Sequence, residues 1–199
     1  LHGFSQSAAT WENLDIPGYQ IFALDLVGHG KSSKPEQLEP YTLESICEQL
    51  RQIVQSLFQE KSYSLLGYSM GGRIALQFAL NFPEQLIEQL IIESAAPGIA
   101  DIKQREKRLQ ADLRLAEHIE ENGAVWFANY WGALPIFQSQ QNLPQEEQHK
   151  IWSSRAQNAP HALAQTLRAT GQGKLPDISE KLQDLKLPLL YITGALDQK

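Results

Sequence analysis

Ser64-Leu65-Leu66-Gly67-Tyr68-Ser69-Met70-Gly71-Gly72-Arg73 reads as the end of a strand, a sharp corner and the start of a helix. A short apolar run closes at Gly67, and Ile74-Ala75-Leu76-Gln77-Phe78-Ala79-Leu80 follows as a buried helix, so the G-x-S-x-G at 67–71 sits in strand-turn-helix context. A serine on such a corner adopts a strained backbone, and flanking glycines remove the Cβ atoms that would collide where the chain doubles back. Ser69 then stands exposed at a helix N-terminus. There the unpaired N–H groups, above all that of Met70, can receive negative charge developing on a substrate oxygen.

Working outward, His2-Gly3-Phe4 is a turn that could aim the N–H of Phe4 at the same oxygen as Met70, completing an oxyanion hole; an ordinary turn is the other reading. Gln20-Ile21-Phe22-Ala23-Leu24 reads as a strand, and Asp25-Leu26-Val27-Gly28-His29-Gly30-Lys31-Ser32-Ser33 as a glycine-rich loop without the spacing of a phosphate cradle. His29 is read there as a loop-bracing residue rather than a base. Leu43, Ile46, Leu50, Ile53, Val54 and Leu57 recur at helical spacing over 42 to 59. Strands follow at 63 to 67, at 89 to 93 and from Leu187 to Gly194, with the elbow helix running to Leu80.

This alternation of near-continuous apolar strands with helices argues a parallel sheet covered on both faces. From Asp101 to Gly171 only helical signals occur: Leu109, Leu113, Ala116 and Ile119 on one stripe, then Val125-Trp126-Phe127, then segments near 144 to 157 and 161 to 170. The expectation is an α/β core over residues 1–98, a helical lid insertion over 99–172 above the C-terminal ends of the strands, and the core continuing over 173–199. The chain starts in a turn that ordinarily follows a strand and stops just after one. It therefore reads as a fragment lacking both ends of the fold.

The 199 residues suffice for one well-buried core, and a net charge of −6 argues against a nucleic-acid or anionic-membrane surface, so any anionic ligand must be held by local arginines. Cys47 is the single cysteine and falls on the apolar helical stripe, which excludes an internal disulfide and makes it a small core residue. No apolar run approaches a membrane span, and a reducing cytoplasm is the expected compartment. Nothing in the sequence calls for a metal or a cofactor.

The chain resembles the α/β-hydrolase superfamily through His2-Gly3-Phe4, Asp25-Leu26-Val27-Gly28-His29-Gly30-Lys31-Ser32, Gly67-Tyr68-Ser69-Met70-Gly71-Gly72-Arg73 and Gly194-Ala195-Leu196-Asp197. More narrowly it is similar to the 2-succinyl-6-hydroxy-2,4-cyclohexadiene-1-carboxylate synthases, pyruvate-eliminating lyases of menaquinone and phylloquinone biosynthesis. That likeness rests on Gly67 to Arg73, Glu93-Ser94-Ala95-Ala96-Pro97-Gly98, Gln104-Arg105-Glu106-Lys107-Arg108 with Asp112, Phe127-Ala128-Asn129-Tyr130-Trp131, Pro135-Ile136-Phe137, and Ser154-Arg155.

The resemblance implies a Ser-His-Asp triad in which Ser69 removes a substrate proton and pyruvate leaves by 2,5-elimination, without an acyl-enzyme. Ser69 and Asp197 match the serine and the acid, Asp197 following a strand as the order Ser, Asp, His requires. The histidine has no match. His118, His149 and His161 precede Asp197 and are assigned structural or surface roles, and a Gly-His is expected roughly 20 to 30 residues beyond Lys199. Glu93 is the alternative acid, or a brace for the turn before Pro97.

Arg73 lies four residues after Ser69, hence on the same helical face and towards the pocket. Guanidinium forks bind carboxylates bidentately, and the resemblance implies a small polycarboxylate substrate held by Arg73, Arg108 and Arg155, with Trp131 as an aromatic wall and Tyr68 at the elbow. Arg108 could instead pair with Asp112 on its own helix, and Tyr68 could be a packed elbow residue. Two other functions stay open: a serine esterase or carbon-carbon bond hydrolase with the same triad, and a non-catalytic ligand-binding protein on this scaffold.

Overall fold

The computed structural model describes residues 1–195 and 197; Leu196 of the motif quoted above, with Gln198 and Lys199, lies outside the described residues. Three parallel strands form the sheet among the described residues: β1 (Tyr63–Tyr68), β2 (Ile87–Glu93) and β3 (Leu189–Ile192), in the order β1-β2-β3. Leu65, Leu90 and Leu189 lie in neighbouring registers, and so do Tyr68, Glu93 and Ile192, which brings the C-terminal ends of all three strands to one edge. That edge carries the site.

Helix α1 (Leu43–Phe58) forms where the helical spacing places it and buries Leu43, Ile46, Cys47, Leu50 and Val54, whereas Ile53 and Leu57 of the expected stripe are exposed at its outer edge. Thr42 caps it, its Oγ1 accepting from the N–H of Ser45. Cys47 is a core residue, and burial pushes its thiol up to about 12. Helix α2 (Met70–Asn81) buries Ile74, Ala75, Leu76, Phe78 and Ala79 in a core that also takes in Leu90, Ile92 and the buried side of α1.

Between β2 and β3 lie α3 (Ile102–Gly132), a 3-10 segment at Pro135–Asn142, α4 (Gln145–Ala156) and α5 (Pro160–Thr170). Asp101 caps α3 by accepting from the N–H of Gln104 at 2.7 Å, and Gly123 kinks it with φ 82°, a conformation open to glycine. These helices have their own apolar cluster, in which Leu115, Ala116, Ile119 and Phe127 meet Leu163, Ala164 and Leu167.

Two further expectations are corrected. Residues 20–24 form no strand: Gln20 to Ala23 are exposed, and the segment joins no ladder among the described residues. A strand exists only through its partner's hydrogen bonds, and beside β1 it is Leu1 that pairs, its nitrogen donating to the carbonyl of Leu66 and its carbonyl accepting from the N–H of Tyr68. On α3 the buried stripe runs through Asp112, Leu115, Ala116 and Ile119, while Leu109 and Leu113 are only partly buried. Leu115 rather than Leu113 joins the cluster with α5, on the same helical face as Asp112, Ala116 and Ile119.

Candidate active site

Ser69 occupies the corner between β1 and α2 with φ 52° and ψ −112°, a region that L-residues avoid. The corner is possible because of the glycines around it. A Cβ on Gly67 would stand 2.4 Å from the carbonyl oxygen of Gly71, and one on Gly71 would stand 2.4 Å from that of Leu1. The N–H of Ser69 donates to the carbonyl of Glu93 at 2.8 Å, and the carbonyl of Ser69 accepts from Arg73 at 3.1 Å to begin α2. The N–H groups of the first turn, starting with Met70, are left without intrahelical acceptors.

The turn carrying Phe4 is set by two buried histidines. His2 donates from Nδ1 to the carbonyl of Gly3 at 2.8 Å and accepts at Nε2 from the N–H of Leu26 at 3.0 Å, which fixes its tautomer as neutral. His29 donates from Nδ1 to the carbonyl of Val27 at 3.0 Å, its Nε2 is buried without a partner, and its ring lies 5.0 Å from that of His2. Burial, and then the nearness of His29, pushes His2 down to about 3; burial pushes His29 down to about 4. Both are braces. The Phe4 ring packs at 5.4 Å against Trp131 and 5.7 Å against Phe127, joining the turn to α3.

Phe4, Tyr68, Ser69 and Met70 open into one cavity of about 660 Å³, and α3, α4 and α5 complete its walls with Arg108, Trp131, Arg155 and Thr166 among others. Arg73 also lines it, half-buried, with Nε shielded from solvent and without a hydrogen-bond partner. Burial, and then the charge of Arg108, lowers the Arg73 guanidinium to about 10, so it remains cationic at neutral pH. Buried, unsatisfied donors on a charged group are costly unless an anion meets them.

The other two arginines are held differently. Arg108 donates from Nε to Asp112 Oδ1 at 2.8 Å and from Nη1 to Gln172 Oε1 at 2.9 Å, so it pairs on its own helix while also lining the cavity. Arg155 is buried on α4, donates from Nη2 to Gln140 Oε1 at 3.0 Å, and lays its guanidinium 4.5 Å from the centre of the Phe137 ring. Burial lowers its pKa, with Tyr68 acting the other way.

Asp197 follows β3 at the same sheet edge, half-buried, its N–H donating to Gly194 at 3.0 Å. It is not among the residues that line the cavity, but its charge helps to push up the phenols of Tyr68 and Tyr191. For both phenols burial is the larger cause, and for Tyr68 Glu93 comes next.

No histidine lines the cavity among the described residues. His118 is exposed and lies 3.7 Å from Glu121, His149 stacks on Trp152, and Nε2 of His161 hydrogen-bonds the carbonyl of Lys34 at 2.9 Å. Gln172, Gln140 and Phe137 were not named as site residues from the sequence. Gln172 sits between two glycines, which could have marked it; Gln140 lies 15 residues from Arg155 and carries no local signal.

The family model for the alpha/beta hydrolase fold matches residues 1–199. The chain is 34% identical over 201 residues to the putative 2-succinyl-6-hydroxy-2,4-cyclohexadiene-1-carboxylate synthase of Bacillus subtilis (strain 168), covering 100% of this chain and 73% of that protein. It is 33% identical to the 2-succinyl-6-hydroxy-2,4-cyclohexadiene-1-carboxylate synthase of Serratia proteamaculans (strain 568), covering 100% of this chain and 76% of that one. Among solved structures, MenH from S. aureus superposes with a TM-score of 0.86 at 36% identity, over 96% of this chain and 72% of that one. The strand-elbow-helix around Ser69, the parallel sheet and the match along the whole chain agree: the chain belongs to the alpha/beta hydrolase family, alongside the 2-succinyl-6-hydroxy-2,4-cyclohexadiene-1-carboxylate synthases.

Proposed function

We propose that the protein is a carbon-oxygen lyase that eliminates pyruvate from a succinyl-enolpyruvyl-hydroxy-cyclohexene-carboxylate to give 2-succinyl-6-hydroxy-2,4-cyclohexadiene-1-carboxylate, in menaquinone or phylloquinone biosynthesis. The observation that carries this reading is Arg73: a guanidinium with an unsatisfied, buried Nε in the cavity that holds the elbow serine. A hydrolase of neutral esters has no use for that charge beside its nucleophile. A polycarboxylate does, and Arg108 and Arg155 stand on other walls of the same cavity.

In this reading the triad base takes the hydroxyl proton of Ser69, and Ser69 Oγ then takes the ring proton. The electron pair left on carbon moves through the ring and expels the enolpyruvyl oxygen, so that one C–H and one C–O bond break and a diene forms. The enolate that leaves takes back the proton held by the triad base, and the resulting enol tautomerises to pyruvate. N–H groups of Met70 and Phe4 take up charge developing on a substrate oxygen, and Trp131 packs against the ring. Asp197 serves as the acid that orients the triad base, a role which none of the five histidines of this chain is placed to complete. A small polycarboxylate is the expected partner, with no nucleic acid or membrane surface. Among the described residues no helix is long and apolar enough to cross a membrane, and the single, buried Cys47 fits a reducing cytoplasm.

The test is to supply the full-length protein with the enolpyruvyl cyclohexene precursor and follow pyruvate. Stoichiometric release of pyruvate together with the cyclohexadiene chromophore supports the lyase. Release of an acid from simple esters at a comparable rate, without pyruvate from the precursor, would move the assignment to a hydrolase.

A further inference from the structure

Asp112 is a carboxylate inside the wall of a cavity lined by Arg73, Arg108 and Arg155, where a negative charge would compete with an anionic ligand. Its side chain is 4% exposed against 40% for that of Arg108. It lies one helical turn beyond Arg108, receives Nε–H of that residue on Oδ1 at 2.8 Å, and receives the N–H of Gly173 on Oδ2 at 3.2 Å. The loop after α5 is seated directly on α3 at this point. A Cβ on Gly173 would lie 2.1 Å from the nitrogen of Leu109, and one on Gly171 would lie 2.8 Å from Asp112 Oδ2. Between these glycines, Gln172 Oε1 accepts from Arg108 Nη1 at 2.9 Å.

We infer that Asp112, with Gln172, is a positioning residue that aims Arg108 at the substrate, and that the Gly171-Gln172-Gly173 loop is the clamp holding both in register. This inference rests on the reading of Arg108 as a substrate ligand given above. A guanidinium has five N–H donors in one plane. Asp112 occupies Nε–H and Gln172 one hydrogen of Nη1, which leaves both hydrogens of Nη2 and one of Nη1 for a carboxylate in the cavity. Asp112 also offsets the repulsion between the two neighbouring guanidiniums, since its charge acts on Arg73 against that of Arg108. Because it is buried and already bonded on both oxygens, it does not compete for the site as a free acid would.

The experiment is a double-mutant cycle in the full-length protein, with KM and kcat for pyruvate release read separately. Arg108→Ala is expected to raise KM about 30-fold, and Asp112→Asn about 10-fold with kcat within about threefold of the parent. In the Arg108→Ala background, Asp112→Asn should add nothing. Gln172→Ala is the milder variant, in reserve should Asp112→Asn fail to fold. It should raise KM about threefold in the parent and not at all in Arg108→Ala. Equal losses from Asp112→Asn, or from Gln172→Ala, in both backgrounds would overturn the positioning role while leaving Arg108 as a ligand. An unchanged KM in Arg108→Ala alone would remove the ligand role, and the inference with it.

Discussion

The main-chain N–H of Ser69 is bonded to the carbonyl of Glu93 at 2.8 Å, so the elbow after β1 is tied to the last residue of β2. This bond helps to hold the serine at a φ of 52°, where it projects from the sheet edge instead of relaxing into the helix. In the full-length protein Ser69→Ala is expected to lower kcat by roughly three orders of magnitude or more. Ser69→Gly should be equally inactive yet more stable than the parent, because it relieves a strain of about 1 to 3 kcal/mol. A thermal melt several degrees higher for Ser69→Gly than for Ser69→Ala is the measurement. If Ser69→Ala keeps most of its turnover, the proton-abstracting role goes.

Arg73 and Arg155 stand on different elements, α2 and α4, whereas Arg73 feels the charge of Arg108. Arg73→Ala should cost about 2 to 4 kcal/mol of transition-state binding, or about 30- to 1000-fold in kcat/KM for the charged substrate. Combined with Arg155→Ala the losses should add, while combined with Arg108→Ala they should fall short of the sum. Hydrolysis of a small neutral ester, where detectable, should be unchanged or improved by Arg73→Ala. Equal loss on charged and neutral substrates would mean that Arg73 only supports the elbow.

Gly71 approaches the start of the chain so closely that a methyl group cannot fit, its Cβ falling 2.4 Å from the carbonyl oxygen of Leu1 and 2.6 Å from that of His2. Gly71→Ala must therefore push the His2-Gly3-Phe4 turn away from α2 and separate the N–H groups of Phe4 and Met70. Kinetics of the soluble variant should show a loss in kcat larger than any rise in KM, as expected when transition-state charge is no longer met. A KM effect alone would place the turn outside the oxyanion hole.

The buried histidine pair makes folding acid-sensitive. His2 and His29, held near 3 and 4, take up protons in the unfolded chain close to 6.5, so stability is greatest above 6.5 and falls as pH drops towards 4. The slope per histidine is about 1.4 kcal/mol per pH unit within that window. Asp25 acts in the same direction at lower pH: burial opposes its charge, but N–H donors from Ala8 and Lys31 hold its carboxyl below the usual range. Denaturant midpoints at pH 7 and pH 5 should differ clearly in the parent. The difference should shrink in His29→Gln, and a flat profile in the parent would contradict the neutral pair.

What the sequence by itself determined is local. The glycines about Ser69 dictate a corner because the clash they avoid lies within a few residues, and the four-residue step to Arg73 places both on one helical face. The stripe from Leu43 to Val54 dictates α1 in the same way, since helical periodicity and a Thr42 cap need no distant partner. Residues 20–24 show the limit: an apolar run becomes a strand only when another strand supplies its hydrogen bonds, and that depends on residues far away in the chain. Only the tertiary structure decided that Asp112 is interior, because the N–H of Gly173, 61 positions on, is what makes its burial tolerable. Only it set Arg155 against Phe137 and Gln140, and paired His2 with His29 under the Phe4 turn. Charge, burial and tautomer follow from which groups are brought together, and no window of sequence contains those neighbours.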